Sequence, residues 1–474
     1  MTRTVKPPVV DHQLSRLFGR DSLYMVLWAV QLLGAAILTP VITRVLGSGE
    51  FGVVASCNAV MQVLFVVGGF GLQTAIQRQH ELPHGRRDAA KVLAVSVALT
   101  ASVTVAALGT VAFWARPLDM LDQLVALRIS VVWAGLSAIT GASLALLRSQ
   151  ERLPAFAAVS LFQSVVAEAA SLGLIAWQHP SAENFLAGQT VAQLAAMVLG
   201  LMLAPPRSID RRDLPMVADA VRFAVPLVPA VLGTFVLSTA DRLLIQGAMG
   251  EDAVARYQVA YNVASMPLLL LSVLHSTWMP RFFALADGEN RIRVLAASRD
   301  ILYRLLVPLL IGFAAGTPLI LRVWAPPSYR PESLSMVVLL VVVTAVPFAA
   351  HLAVSRALTA RDRTADIAVC TLVAAAANVA LNIWWIPRFG LEGSAAATLV
   401  AYCLLSVVLT VRARRWAPVP ASDWRLRLQL AVAVAVAIAT VELSADGALM
   451  WVRAAIVAAT ITWFARIVLP VVRR

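Results

Sequence analysis

Apolar residues in this chain come in runs of about twenty, and polar residues are confined to the short stretches between them. A hydrocarbon core about 30 Å thick takes roughly 20 residues of helix to cross. About fourteen runs of that length follow one another, from 22–45 and 52–76 at one end to 427–443 and 448–470 at the other. The pattern predicts an all-α polytopic membrane protein of about 14 transmembrane helices. The connections are too short to hold a separate soluble domain. The longest inner one, Arg281 to Asp300, is expected to carry a short amphipathic surface helix.

Composition agrees: 60% of the 474 residues are hydrophobic and 14% are charged, against about 25% charged in ordinary soluble domains. The net charge of +13 does not point to nucleic acid, because no base-reading motif or aromatic interleaving accompanies the arginines. Their distribution explains them better. The even-numbered connections hold Arg78, Arg86, Arg87 and Lys91, then Arg148 and Arg152, Arg207, Arg211 and Arg212, and so on to Arg425 and Arg427. The odd-numbered ones hold only Arg116, Arg322, Arg330 and Arg388. Such asymmetry places the arginine-rich side and both termini in the cytoplasm, where the basic loops also meet anionic lipid heads. No cleavable signal precedes the first run, which is expected to serve as the insertion signal itself. Cys57, Cys370 and Cys403 sit within apolar runs without metal-ligand spacing. Neither metal, cofactor nor catalytic set emerges.

A weak internal repeat divides the chain. Arg44-Val-Leu-Gly-Ser-Gly-Glu-Phe-Gly52 and Arg242-Leu-Leu-Ile-Gln-Gly-Ala-Met-Gly250 each join the first two helices of a half. Residues 1–204 and 219–411 are read as two six-helix lobes, 205–218 as a cytoplasmic linker, and 412–474 as two added helices. Duplication of this kind is a transporter architecture.

Ionisable groups inside spans are costly and usually face a cavity or a partner. Arg44 and Arg128 lie near the outer ends of helices 1 and 4, where they either snorkel or face a cavity. Glu168 lies deep in helix 5, as hydrogen-bonded structure or as a titrating group. Asp241 and Arg242 are adjacent in helix 7, pointing about 100° apart, so each is expected to find its partner on another helix. His275 in helix 8 and His351 in helix 10 are candidates for proton linkage, while Asn378 and Asn382 are expected to hydrogen-bond between helices. Arg44, Arg128 and Arg242 together suit an anionic, phosphate-bearing substrate, since the guanidinium fork donates two parallel hydrogen bonds.

The run Leu38-Thr-Pro-Val-Ile-Thr-Arg-Val-Leu-Gly-Ser-Gly-Glu-Phe-Gly52, followed by Gly69-Phe-Gly-Leu-Gln-Thr-Ala-Ile-Gln-Arg78, resembles the opening helices of Wzx-type polysaccharide flippases, grouped with the MATE exporters and the lipid II flippase. Ser238-Thr-Ala-Asp-Arg-Leu-Leu-Ile245 and Asn382-Ile-Trp-Trp-Ile-Pro-Arg-Phe-Gly-Leu-Glu-Gly-Ser394 continue the likeness over nearly the whole chain. The resemblance implies two lobes around a cavity. It also implies transfer of undecaprenyl-diphosphate-linked oligosaccharide from the cytoplasmic to the outer leaflet of the bacterial inner membrane, coupled to an ion gradient and alongside a polysaccharide polymerase and glycosyltransferases. In its terms Arg44, Arg78 and the Asp241–Arg242 pair match recurrent positions, whereas Arg128 and Glu168 match no family motif and rest on their intramembrane charge alone. The substrate-binding candidates are then Arg44, Arg78, Arg128 and Arg242, and the ion-coupling candidates Glu168, Asp241 and His275. Two other readings stay open: a MATE-like exporter of small cations, and a membrane enzyme of the O-antigen polymerase or ligase type. Carboxylates on helices 1, 7 or 8 favour the first, and only Asp241 is offered there. A substantial outer loop favours the second, and the outer loops here are turns. A nucleotide-driven pump lacks its phosphate-binding loop.

Overall fold

The structure is a computed structural model. It describes the backbone of residues 21–83, 85–272, 288–443 and 447–472, and the side chains within 38–83, 85–272, 292–443 and 447–467. Every regular element among these residues is helical, as a chain without water to hydrogen-bond its backbone requires. Eleven helices among them are long and apolar enough to cross a membrane. Three differences separate these eleven from the fourteen apolar runs. Helix α1 (Asp21–Gly69) covers two runs on either side of a break at Gly47, the helix Thr364–Ala413 covers two more on either side of Gly390, and the run at 253–279 passes beyond the described residues. The expected surface helix in the longest inner connection does not stand apart: residues from Gly288 onward belong to one helix that continues to Trp324, and the part before Gly288 lies outside the described residues.

The chain packs as two compact units. The first comprises Met1–Ile42, Gly68–Leu108 and Ile129–Val225. It contains α2 (Leu72–His80), α3 (Gly85–Gly109), most of α4 (Leu124–Ser149), α5 (Leu153–Leu161), α6 (Ala167–Trp177), α7 (Ala182–Leu203) and α8 (Leu214–Ala224). Its helices meet through small residues, since lipid offers no hydrophobic contrast and close van der Waals approach has to hold them together. At Gly188 of α7 an added Cβ would stand 2.5 Å from the Ser171 Cα of α6. That proximity lets the Ser171 hydroxyl donate across to the Phe185 carbonyl at 2.9 Å. Two turns on, the Gln193 amide donates to the Thr140 hydroxyl of α4 at 2.7 Å.

The second unit comprises Thr43–Val67, Gly109–Arg128 and Pro226–Arg474. It holds α9 (Val228–Met249), α10 (Glu251–Ala264), α11 (Gly288–Trp324), α12 (Ser335–Val343), α13 (Ala345–Thr359), α14 (Thr364–Ala413), α15 (Trp424–Val441) and α16 (Ala448–Val472). The internal repeat is visible here as backbone geometry. Gly47 has φ 75°, ψ 179°, and Gly250 has φ 80°, ψ −179°, a conformation open almost only to glycine. The two turns cross closely: a Cβ on Gly52 would fall 1.9 Å from the Glu251 carbonyl oxygen. Torsions therefore pair Gly47 with Gly250, so Arg44, three residues before its glycine, is no counterpart of Arg242, which lies eight residues before its own, about one and a half turns deeper.

We expect Gly188→Val to lower the yield of folded protein several-fold, because overpacking against backbone costs about 1–3 kcal/mol or more. Gly173→Val, on the same helix pair with nothing within 4 Å of the added Cβ, should stay near the wild-type yield. Membrane protein level and elution from size exclusion measure both.

Candidate functional site

A buried polar assembly in the second unit centres on α9. Asp241 is 1% exposed and Arg242 3%. Contrary to the sequence expectation, the two adjacent residues bind each other, Arg242 Nη1 lying 2.5 Å from Asp241 Oδ1. The long guanidinium stem folds back along the helix and also reaches the Ser238 carbonyl at 2.6 Å, so a 100° offset between Cβ directions does not separate the charged ends. The neighbouring helix supplies what the pair leaves open. Tyr257 donates its phenol to Asp241 Oδ2 at 2.7 Å, and Arg242 Nε donates to Gln258 Oε1 at 3.0 Å. The Arg242 guanidinium lies 4.0 Å from the Tyr261 ring centroid. Gln258 passes the chain on to Asn262 at 2.6 Å. The expected interhelical partners thus exist, but as neutral groups around an ion pair made within one helix. One turn further on, the Ser56 hydroxyl donates to Gln246 at 2.9 Å, tying the helix after Gly47 to α9.

Nearer the outer side by the charge count, Arg44 is exposed and donates to the Val323 carbonyl at 2.6 Å, while Thr43 donates to Trp324 at 3.0 Å. Both serve the carbonyl-rich end of α11, where a positive group is stabilising. Tyr329 closes the same region. Its phenol donates to the Gly47 carbonyl at 2.8 Å, its ring meets Phe51 edge-on at 6.2 Å, and its own carbonyl accepts from Arg256 at 3.2 Å. Burial pushes this phenol further above its ordinary range, so it acts as a donor throughout.

The other expected residues are placed less uniformly. Arg128, at the start of α4, is exposed. Arg78 is exposed and pairs with Asp219 of α8 at 3.2 Å, its guanidinium over the Phe223 ring at 4.5 Å. Glu168 stands two residues past a π-helical turn, Phe162–Val166; such turns are frequent where a side chain must be re-aimed. Its Oε2 is buried without a hydrogen-bond partner among the described residues, and Gln189 of α7 faces its carboxyl. His351 stacks on Phe348 and meets the Ser355 hydroxyl at 3.1 Å. Asn382 bonds across the break at Gly390 between the two halves of α14, accepting from Ser394 at 2.7 Å. His275 lies outside the described residues, and no cluster among the described residues has the composition to hold a metal ion.

One buried charge escaped the sequence reading. Arg453 of α16 is 1% exposed and donates to the Ala314 and Ala315 carbonyls of α11, each at 3.2 Å, and to Thr440 of α15 at 2.7 Å. The signal was present: Pro318 has no N–H to bond the carbonyl four residues earlier, which is Ala314.

The fold is that of multi-pass transport proteins. The structure superposes on a lipid II flippase, MurJ in an inward closed conformation, with a TM-score of 0.74, 11% identity, and coverage of 95% of this chain and 100% of that one. A multidrug resistance MATE transporter in its inward-facing conformation gives 0.62 with 13% identity over 85% of this chain and 98% of that one. Residues 41–329 match the profile of the polysaccharide biosynthesis protein family, and the chain belongs to that family. Among its relatives are the probable flippase AglR of Haloferax volcanii, 30% identical over 36% of this chain and 37% of that protein, and the succinoglycan biosynthesis transport protein ExoT of Rhizobium meliloti, 27% identical over 59% and 56%. The matches thus span about a third to somewhat over half of those relatives' lengths.

Removing one partner of a buried ion pair costs about 3–5 kcal/mol, because the other is left uncompensated. Asp241→Ala should therefore lower the thermal unfolding midpoint of the purified protein by several degrees. Asp241→Ala combined with Arg242→Met should recover much of the loss, the non-additivity that a direct pair produces. A loss in the double variant equal to the sum of the Asp241→Ala and Arg242→Met losses would show that the pair is not coupled.

Proposed function

We propose that this protein moves an undecaprenyl-diphosphate-linked oligosaccharide from the cytoplasmic to the outer leaflet of the bacterial inner membrane, for the assembly of a surface polysaccharide. The observation that carries the reading is family membership across residues 41–329, joined to a fold shared with a lipid II flippase over 95% of the chain. The chemistry is consistent. A diphosphate and its sugars cannot enter hydrocarbon unaided, whereas a polyprenyl tail can stay in lipid, so the protein has to supply only a polar route for the headgroup. It works as a transporter and not an enzyme, with both termini cytoplasmic and with a polymerase and glycosyltransferases acting on either side of the step.

In this reading the lobes 1–204 and 219–411, joined by 205–218, alternate in access. The exposed guanidinium groups of Arg44, Arg78 and Arg128 serve the diphosphate. Arg242 already has a counter-charge in Asp241, so it serves the route by holding α9 against α10. Glu168, with one carboxyl oxygen unpartnered, is the coupling group: a ligand shifts a two-state equilibrium only by its differential affinity for the two states, and a proton on Glu168 provides such a difference.

The reading is tested in a deletion strain by quantifying surface polysaccharide and locating the lipid-linked oligosaccharide by leaflet. Completed units trapped on the cytoplasmic face support it. Units that reach the outer leaflet unpolymerised assign the chain to the polymerase step instead, and intact glycan with altered drug sensitivity assigns it to small-cation export. In the complemented strain Arg44→Ala should lower polymer output several-fold at normal protein level. Glu168→Gln should flatten the pH dependence of transport, and an unchanged profile makes Glu168 structural.

A further inference from the structure

The second unit contains a cleft of about 960 Å³ that the transport reading does not use. Five helices wall it: α11, the α12–α13 pair, the second half of α14, and α15. Chain direction gives it two unlike ends. Arg299 near the start of α11, Arg414 just past α14 and Arg427 in the first turn of α15 gather at one end with Ser422. Away from them the lining becomes Val346, Leu399, Cys403, Leu430 and Val434. Among the described residues no carboxylate lines the cleft.

The three arginines are not equivalent. Arg299 is buried and held by Asp300 at 2.8 Å and by the Pro420 carbonyl at 2.7 Å, so its charge is balanced and its position fixed. Arg414 and Arg427 are exposed, and their side chains carry no hydrogen bond or ion pair among the described residues. Two unbalanced guanidinium groups at the mouth of an apolar cleft call for an anion attached to something apolar. The dimensions say which. From Thr410 to Leu399 on α14 the cleft runs eleven residues of helix, about 16 Å at 1.5 Å per residue. A single leaflet is about 15 Å of a core about 30 Å thick. A headgroup held by the arginines would therefore place its acyl chain along the cleft to the bilayer midplane and no further. The arginines belong to the connections that the charge asymmetry assigns to the cytoplasm, the leaflet surface where anionic lipids attract basic residues and where basic pockets between helices hold anionic headgroups.

We propose that this cleft is a binding site for an anionic phospholipid of the cytoplasmic leaflet, its phosphate held by Arg414 and Arg427 and one acyl chain lying against Val346, Leu399, Cys403 and Val434. The site is independent of the proposed substrate route. It makes the packing of α15 against α11, α13 and α14 depend on the lipid in which the protein sits.

Native mass spectrometry of the purified full chain tests this with three added probes: phosphatidylglycerol, phosphatidylcholine of the same acyl length, and undecaprenyl diphosphate. One phosphatidylglycerol should bind in preference to phosphatidylcholine, and Arg414→Ala/Arg427→Ala should weaken it roughly tenfold or more, since each basic residue near an anionic surface contributes about a factor of five. Arg116→Ala/Arg388→Ala removes the same charge elsewhere and should leave binding unchanged. Cys403→Trp, which fills the apolar end while keeping both arginines, should weaken phosphatidylglycerol as well. Equal loss in the two arginine pairs would mean general surface attraction and overturn the site. So would retention of the lipid by the Arg414→Ala/Arg427→Ala protein. Displacement of phosphatidylglycerol by equimolar undecaprenyl diphosphate would assign the cleft to a polyprenyl lipid and overturn the phospholipid assignment.

Discussion

Hydrocarbon cannot satisfy a hydrogen bond, and that constraint orders the rest of this structure. Each polar group carried into a span has to bring its partner with it. The network around Asp241 shows what this demands. A carboxylate and a guanidinium from adjacent positions cancel each other's charge, and the remaining acceptors and donors are taken up by Tyr257, Gln258 and the Ser238 carbonyl. Ion pairs of this kind are weak evidence for stability, since their desolvation offsets much of their attraction. What the network does is tie α9 to α10, through the Tyr257 and Gln258 contacts to the pair.

The same constraint explains why the fold was legible in the sequence while its sites were less so. Length and apolarity alone specify a spanning helix, so most boundaries could be read directly. The breaks at Gly47 and Gly390 were legible too, as the gaps between successive apolar runs, although helix resumes on each side of them. Arg44 and Arg242 were visible as intramembrane charges. Their different depths relative to Gly47 and Gly250 were not, because the repeat is defined by backbone conformation and the two arginines fall on it by coincidence of spacing. The Asp241–Arg242 pairing went unforeseen for a related reason. Cβ directions separate neighbours on a helix, but a flexible arginine stem about 6 Å long erases that separation. Arg453 was overlooked because no single window contains both it and the proline-freed carbonyl it serves.

Two kinds of arginine therefore coexist in this chain. Arg242, Arg299 and Arg453 are buried and matched to fixed acceptors, so they act as joints between helices. Arg128, Arg414 and Arg427 are exposed, and Arg44 and Arg78 bind locally while keeping much of their surface open. A phosphate-bearing ligand can recruit Arg128, Arg414 and Arg427 without breaking an existing contact, and Arg44 and Arg78 by exchanging a half-open one. The distinction is set by what surrounds each guanidinium and not by its depth in a hydropathy plot.

The Arg453 joint also has a dimension in time. Its donor and the Ala314 carbonyl it serves lie 139 residues apart in the chain, and synthesis proceeds at about 5–20 residues per second. For roughly 7–30 s after Ala314 is made, the proline-interrupted helix has a carbonyl in the membrane whose partner does not yet exist. The second unit is thus complete only when the last helix arrives, and until then the growing chain depends on water, lipid headgroups or the insertion machinery to shelter that one oxygen.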